Sequence, residues 1–401
     1  MDRCTESVVV AQELPHLQPH VTPADPHAAL VRDLDALRLE LDALRGPADI
    51  VQFRQLEVTC WILLLTGLGL SALGLNPLSP LLLALAASIR WMVIAHHVCH
   101  GALDGLPGVP QRLTSRGFAQ GWRRWLQWPD WIEPQAWKRE HNQLHHAYTN
   151  ERADPDLVEQ QTEWLRQSRL PTVVRLGIIA FLACTWRWLY YAPNTTACLY
   201  EKSGKRVPAT ALVDSAPETR IWNPLTPLGR QLWLKSWLPQ LLFQFGLLPL
   251  LLLPLGWHFW LVALIHVAIA ELLTSLHTFL VIVPNHAGPD LQRFETRSRG
   301  KGQWYARQIA SSCNYRTGSD LNDVLHGWLN YQIEHHVWPD LTPRQYQVAA
   351  PKLKIICQRH GLPYVQQSIF RRAWLMVGVA TGRHSLLRAD APVDVEERIA
   401  A

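Results

Sequence analysis

The chain has 401 residues, 48% of them hydrophobic and 18% charged, a balance that excludes a disordered chain or a coiled-coil rod. Lys and Arg number 38 against 33 Asp and Glu, and the resulting charge of +5 is too small to argue for nucleic acid. The outliers are 19 Trp, which gather at membrane interfaces, and 18 His, which in excess suggest metal. Seven Cys without a C-x-x-C pair argue against a disulfide scaffold or thiolate zinc site and for reduced, cytoplasm-facing chemistry.

Residues 1–29 are polar and lack the basic-then-apolar start of a secretory signal. Leu30, Leu34, Leu37, Leu41 and Leu44 then recur with 4-3-4-3 spacing. That predicts an amphipathic helix of about two heptads, too short for an independent coiled coil and suited to docking on the body. Four apolar stretches follow, at 58–75, 78–95, 238–255 and 258–283. A helix rises about 1.5 Å per residue through a hydrocarbon core of about 30 Å, so each is long enough to span with some tilt. Neither turn between paired stretches carries Lys or Arg, so the positive-inside bias sends both hairpins outward and leaves the termini cytoplasmic. Val173 to Ala192 is also apolar, but Arg175 and Arg187 would each cost about 2.5–3.5 kcal/mol near a helix centre. This segment is expected to lie in the interface. The expected fold is an all-α integral membrane protein with four transmembrane helices in two hairpins. A helical cytoplasmic cap, 96–237 and 287–365, completes a membrane domain at 51–365. A polar arm at 1–50 precedes it and a tail at 366–401 follows.

Three histidine clusters stand out: His96, His97 and His100 in "AHHVCHG"; His141, His145 and His146 in "HNQLHHAYTN"; His335 and His336, after Gln332, in "NYQIEHHVWPD". His96 with His100, and His141 with His145, are four apart, so on an α-helix each pair shares a face and can grip one ion. Eight imidazoles exceed one tetrahedral or octahedral shell, so two metals, or some non-ligands, are implied. Imidazole suits iron, copper, zinc and nickel alike. The first cluster follows the second span, the second lies in the long segment between spans two and three, and the third follows span four, all on the cytoplasmic side where they can meet. The isolated His16, His20, His27, His258, His360 and His384 read as ordinary solvated or hydrogen-bonded residues.

With "HHVCHG", "HNQLHHAYTNERADPDL" and "NYQIEHHVWPDL" in this order, the stretch from about Val58 to Pro363 resembles the integral-membrane fatty acid desaturase and hydroxylase superfamily. The resemblance implies two non-haem irons held by His96, His100, His141, His145, His146, His335 and His336, with O2 as co-substrate. It also implies a further ligand near the end of the last span: His286 beside Asn285, or its rival His277. Gln332 stands where many members have His, and His97 is an extra imidazole that can orient a neighbour. Asp154, Asp156 and Glu334 are candidates to fix ring tautomers.

The implied reaction is desaturation of a fatty acyl chain carried on CoA, a carrier protein or a lipid. Hydroxylase, ketolase or acetylenase chemistry on the same scaffold is the alternative. A metal transporter or transmembrane haem protein would need ligands inside the spans, which only His266 and His277 offer. Spans two and four are expected to wall an acyl tunnel, with Trp91, Phe279 and Trp338 as lining or, preferably, interface-belt residues. Glu271 is a functional candidate with no partner evident in the sequence, and Arg90 can snorkel or hold a phosphate or carboxylate head group. The chain shows no iron–sulfur, haem-domain or dinucleotide motif, so a separate ferredoxin, rubredoxin or small haem cytochrome is the expected donor. The basic stretch Arg112, Arg116, Arg123, Arg124, Lys138 and Arg139 suits such an acidic carrier or anionic lipid.

Overall fold

The computed structural model describes residues 27–202 and 220–389. The polar start with His16 and His20, and the last residues of the expected tail, lie outside the described residues. Helix Ala28–Ala43 buries Leu30, Leu34, Leu37 and Leu41, whereas Leu44 lies past its end and is exposed. It docks on helix Pro343–Arg359: Arg38 grips Asp340 through two 2.7 Å bonds, and Gln345 donates to the Leu41 carbonyl at 2.7 Å.

Two helical hairpins follow, Pro47–Leu73 with Leu78–His100 and Pro227–Leu255 with Trp257–His286. Each turns on a glycine with positive φ, Gly74 at 95° and Gly256 at 130°, a conformation that L side chains rarely adopt. Inside the first hairpin the helices approach so closely at Gly67 that an added Cβ would sit 3.0 Å from Leu83 Cγ. The hairpins meet through their second members, where His277 Nδ1 lies 3.0 Å from Ser88 Oγ and Thr274 donates to the Ala84 carbonyl.

Five helices, one more than the four spans expected, are long and apolar enough to cross a membrane. The fifth, Thr172–Glu201, contains the segment assigned above to the interface. It lies against Trp257–His286, with Trp186 Nε1 donating to the Ser275 carbonyl at 2.8 Å. Its Arg187 supplies the partner that the sequence withheld from Glu271: the guanidinium bonds Glu271 at 3.1 Å and also pairs with Asp130. Trp131 Nε1 and Gln244 Nε2 complete the Glu271 carboxylate at 2.8 and 2.7 Å. Helix Ile369–Ala380, within the expected tail, packs on the body, and its Arg372 bonds Asp290 at 2.7 and 2.8 Å. The described strands are two-residue parallel pairs, Gln292–Arg293 with Leu387–Arg388 and Asn314–Tyr315 with Gln366–Gln367.

Candidate metal centre

Helix Leu78–His100 begins as an α-helix, widens to a π-helical stretch at Ile89–Ala95, and tightens again to carry His96, His97 and His100. Residues 134–148 form a second helix, whose central stretch Lys138–His145 is also π-helical. Here the expected pairing of His141 with His145 does not hold. In a π-helix bonding runs from i to i+5, so His141 lies beside His146, with their Nε2 atoms 3.3 Å apart, while His145, its ring stacked on that of His141 at 5.3 Å, gives its nitrogen to a different group. His96 and His100, on a true α-helical turn, do share a face, their ring centroids 4.9 Å apart.

The rings assemble into two adjoining groups. His96, His100, His141, His146 and His335 bring one nitrogen each to within 4.8 Å of one another. His145, His286 and His336 do the same. The groups touch where His146 stacks on His336 at 4.3 Å. Several outward-facing nitrogens are held: His145 Nδ1 by Asp154 at 3.0 Å, His335 Nδ1 by the Tyr346 hydroxyl at 3.0 Å, and His336 Nδ1 by Gln308 Oε1 at 3.0 Å. His286 Nδ1 faces the Ser311 carbonyl at 3.2 Å. By contrast, His100 Nε2, His141 Nδ1, His146 Nδ1 and His336 Nε2 are buried without a hydrogen-bond partner, as is His97 Nε2 outside the two groups. A buried donor or acceptor left unmade is costly, so these atoms call for a ligand.

Electrostatics favours cation binding. Burial first, then neighbouring rings, holds His141, His146, His335 and His336 well below the usual imidazole pKa, hence neutral and able to ligate. For His145 burial acts in the same sense, but the Asp154 carboxylate outweighs it and raises the pKa. The donor set, neutral imidazole with no Cys thiolate, fits iron among other borderline metals.

The remaining predicted residues fall at varying distances from this centre. Gln332 Nε2 lies 2.8 Å from His286 Nε2, and Asn285 donates to the Leu329 carbonyl at 3.0 Å. His97 packs 5.4 Å from the His96 ring but belongs to neither group, and its Nδ1 faces the Val93 carbonyl at 2.8 Å. The nitrogens of His277 are taken by Ser88 and the Leu325 carbonyl, and those of His266 by Ser71 and the Asn76 amide. Asp156 joins Glu140 and His141 in a third cluster. Glu334 touches no ring; it accepts from Asn314 and Tyr364 at 2.8 Å each, and burial pushes its pKa up to about 7 against those bonds. Glu140, Gln308 and Tyr346 were missed in the sequence. Glu140 sat in plain view beside His141, while Gln308 and Tyr346 belong to no motif.

A cavity of about 280 Å³ opens between the hairpins, mostly apolar, reaching from Leu83 and Val267 up to Ala95 and Trp128. Ala95 immediately precedes His96, and Trp128 packs 5.6 Å from Trp137, which itself stacks on His141 at 4.5 Å. Trp91 lines the cavity; Phe279 and Trp338 do not, and all three are buried rather than facing outward as a belt would.

A family model for fatty acid desaturases matches residues 73–368, and the chain belongs to that family, whose named members are oxidoreductases acting on acyl chains. It is 27% identical to an NADPH-dependent stearoyl-CoA 9-desaturase of Mycobacterium tuberculosis, over 95% of this chain and 87% of that protein. It is 26% identical to Delta(5) fatty acid desaturase A of Dictyostelium discoideum, over 72% of this chain and 59% of that one. An acyl-lipid (9-3)-desaturase of Physcomitrium patens is 25% identical over 68% of this chain and 44% of its own. No solved structure matches.

Proposed function

We propose that the chain introduces a double bond into a fatty acyl chain at a non-haem di-iron centre, consuming O2. One iron is held from His96, His100, His141, His146 and His335, the other from His145, His286 and His336. The observation that carries this reading is the gathering of eight imidazoles from distant stretches, seven buried and His100 half-buried, into two touching groups, with one ring nitrogen each of His100, His141, His146 and His336 left without a hydrogen-bond partner. Bound iron supplies the O2 activation that removing hydrogen from an unactivated alkyl chain requires, which no side chain offers. The protein's part is to hold and shield. The cavity takes the alkyl chain and delivers it past Trp91 and Ala95 to the histidines. Asp154, Gln308 and Tyr346 fix the tautomers of His145, His336 and His335. Trp137 covers His141 and excludes water. Two hydrogens from the chain, with two electrons and two protons from outside, reduce one O2 to two waters. The electrons come from a ferredoxin, rubredoxin or small haem cytochrome docking on the basic stretch at Arg116, Lys138 and Arg139.

The same reading favours four crossings. His286, at the end of the last apolar helix, packs 5.0 Å from His145, which precedes Thr172–Glu201. Were that helix to cross, the two crossings after it would leave His286 on the opposite face from His145. Thr172–Glu201 therefore lies along the bundle without traversing it. The positive-inside bias places the histidines and both termini in the cytoplasm. The membrane domain is assigned to 51–365, preceded by the arm and followed by the tail.

The test is the fatty-acid profile of a host expressing the chain or its His146→Ala variant, with iron measured on the purified proteins. A new unsaturated acid made by the parent alone, with two irons per parent chain, is expected. A product heavier by one oxygen would favour the hydroxylase reading instead. Less than one iron per parent chain after reconstitution would overturn the di-iron centre.

A further inference from the structure

A second cavity, about 200 Å³, adjoins the larger one and shares Trp61, Arg90, Leu126 and Gln127 with it. Its lining carries three arginines, Arg90, Arg112 and Arg123, against a single carboxylate, Glu57, which is paired to Arg112. Arg90 is only 9% exposed. It donates to the Leu126 carbonyl and lies over the Trp61 ring at 4.6 Å, but among the described residues no carboxylate lies within ion-pair distance of it. Arg187, also buried, shows the contrast, being held between Asp130 and Glu271. Arg123 likewise has no ion pair among the described residues. Glu57, already paired to Arg112, is the one carboxylate in this lining, and a buried cation without an ion pair of its own is costly, so its persistence calls for an anion brought by a ligand.

We infer that Arg90, Arg112 and Arg123 form a binding site for the anionic head, phosphate or carboxylate, of the acyl donor whose chain fills the larger cavity. The inference rests on the acyl-chain reading of that cavity. The position fits an amphiphile: Trp61, Trp122 and Leu126 are partly exposed around the smaller cavity, as aromatic and apolar groups are at a membrane interface. Guanidinium forks match phosphate and carboxylate oxygens, and Arg90, facing both spaces, sits where head and chain join.

The experiment uses the full chain in nanodiscs of zwitterionic lipid and measures binding of stearoyl-CoA, stearate and phosphatidylglycerol against stearyl alcohol. At least one anionic ligand is expected to bind the parent more tightly than the alcohol, and the one that does names the carrier. Arg123→Gln, on the partly exposed rim, should weaken that ligand about tenfold or more while leaving the alcohol unchanged, the scale of one lost charge-assisted bond. Arg90→Met, which keeps the bulk and removes the charge, should do the same. Equal binding of anions and alcohol, or anion affinity unmoved by Arg123→Gln, overturns the site. Iron content and product are read on the same samples. A charge-dependent pocket in a chain that makes no unsaturated product would sink the desaturase reading and leave the anion site standing.

Discussion

His141 and His146 become neighbours because the stretch holding them is wound more loosely than an α-helix, and that winding decides which group each ring joins. The motif spacing made the three clusters and their convergence legible, but not this redistribution, because neither Gly nor Pro marks the π-helical stretch in the sequence. Ring orientation was still less legible, since Gln308 and Tyr346 come from elements with no pattern tying them to histidine. Two predictions belong here. His146→Ala removes a ring that touches both groups, so product formation should vanish while the protein stays in the membrane, as read from lipid profiles and immunoblots of membrane fractions. Asp154→Asn keeps the shape beside His145 Nδ1 but loses the charge, and should lower metal affinity about 10–100-fold. Chelator titration of the iron-loaded protein measures this, and an unchanged titration curve would refute the orienting role.

The helices Thr172–Glu201 and Trp257–His286 are locked by charge as well as by apolar packing. Arg187 is buried between two acids, so Arg187→Met strands Glu271 and Asp130 without a cation and should cost about 3–5 kcal/mol, seen as a lower melting temperature in detergent. Adding Glu271→Gln should return part of that loss. The amphipathic leucine repeat made the docking of Ala28–Ala43 legible; its anchor was not, because Arg38 and Asp340 lie 302 residues apart. Burial would raise the Asp340 carboxyl, but the Arg38 guanidinium outweighs it and holds the pKa below the usual carboxylate range. A depressed carboxylate pKa gives stability that is present above about pH 4 and lost as pH falls through the folded value. Both groups are partly exposed, so Arg38→Met should cost only about 1 kcal/mol at neutral pH, and nothing further in acid. Melting curves of parent and variant should therefore converge as the pH is lowered.

For the whole molecule, hydropathy and basic-residue placement predict two outward hairpins, yet composition does not separate a crossing helix from one that only lies along the bundle, since Thr172–Glu201 is long and apolar enough to cross. On the proposed function, that distinction follows from where the rings meet. It yields a topological prediction: cysteines placed at Leu73 and Leu255, beside the two glycine turns, should react with an impermeant maleimide from outside intact cells. Reporters fused to either end of the chain should remain sealed inside. Labelling of the two turns from opposite faces would rule out this arrangement.

His96 and His335 stand with their Nε2 atoms 3.0 Å apart although 239 residues separate them. During synthesis the first ring leaves the ribosome long before its counterpart is translated, and the last apolar helix must be inserted in between. On the proposed di-iron reading, metal delivery is consequently a late event in the life of each polypeptide, coming after the bundle has closed. Nascent chains halted before His335 should carry less metal than released ones, and shortage of iron should leave a folded, inserted, idle protein that revives on supply.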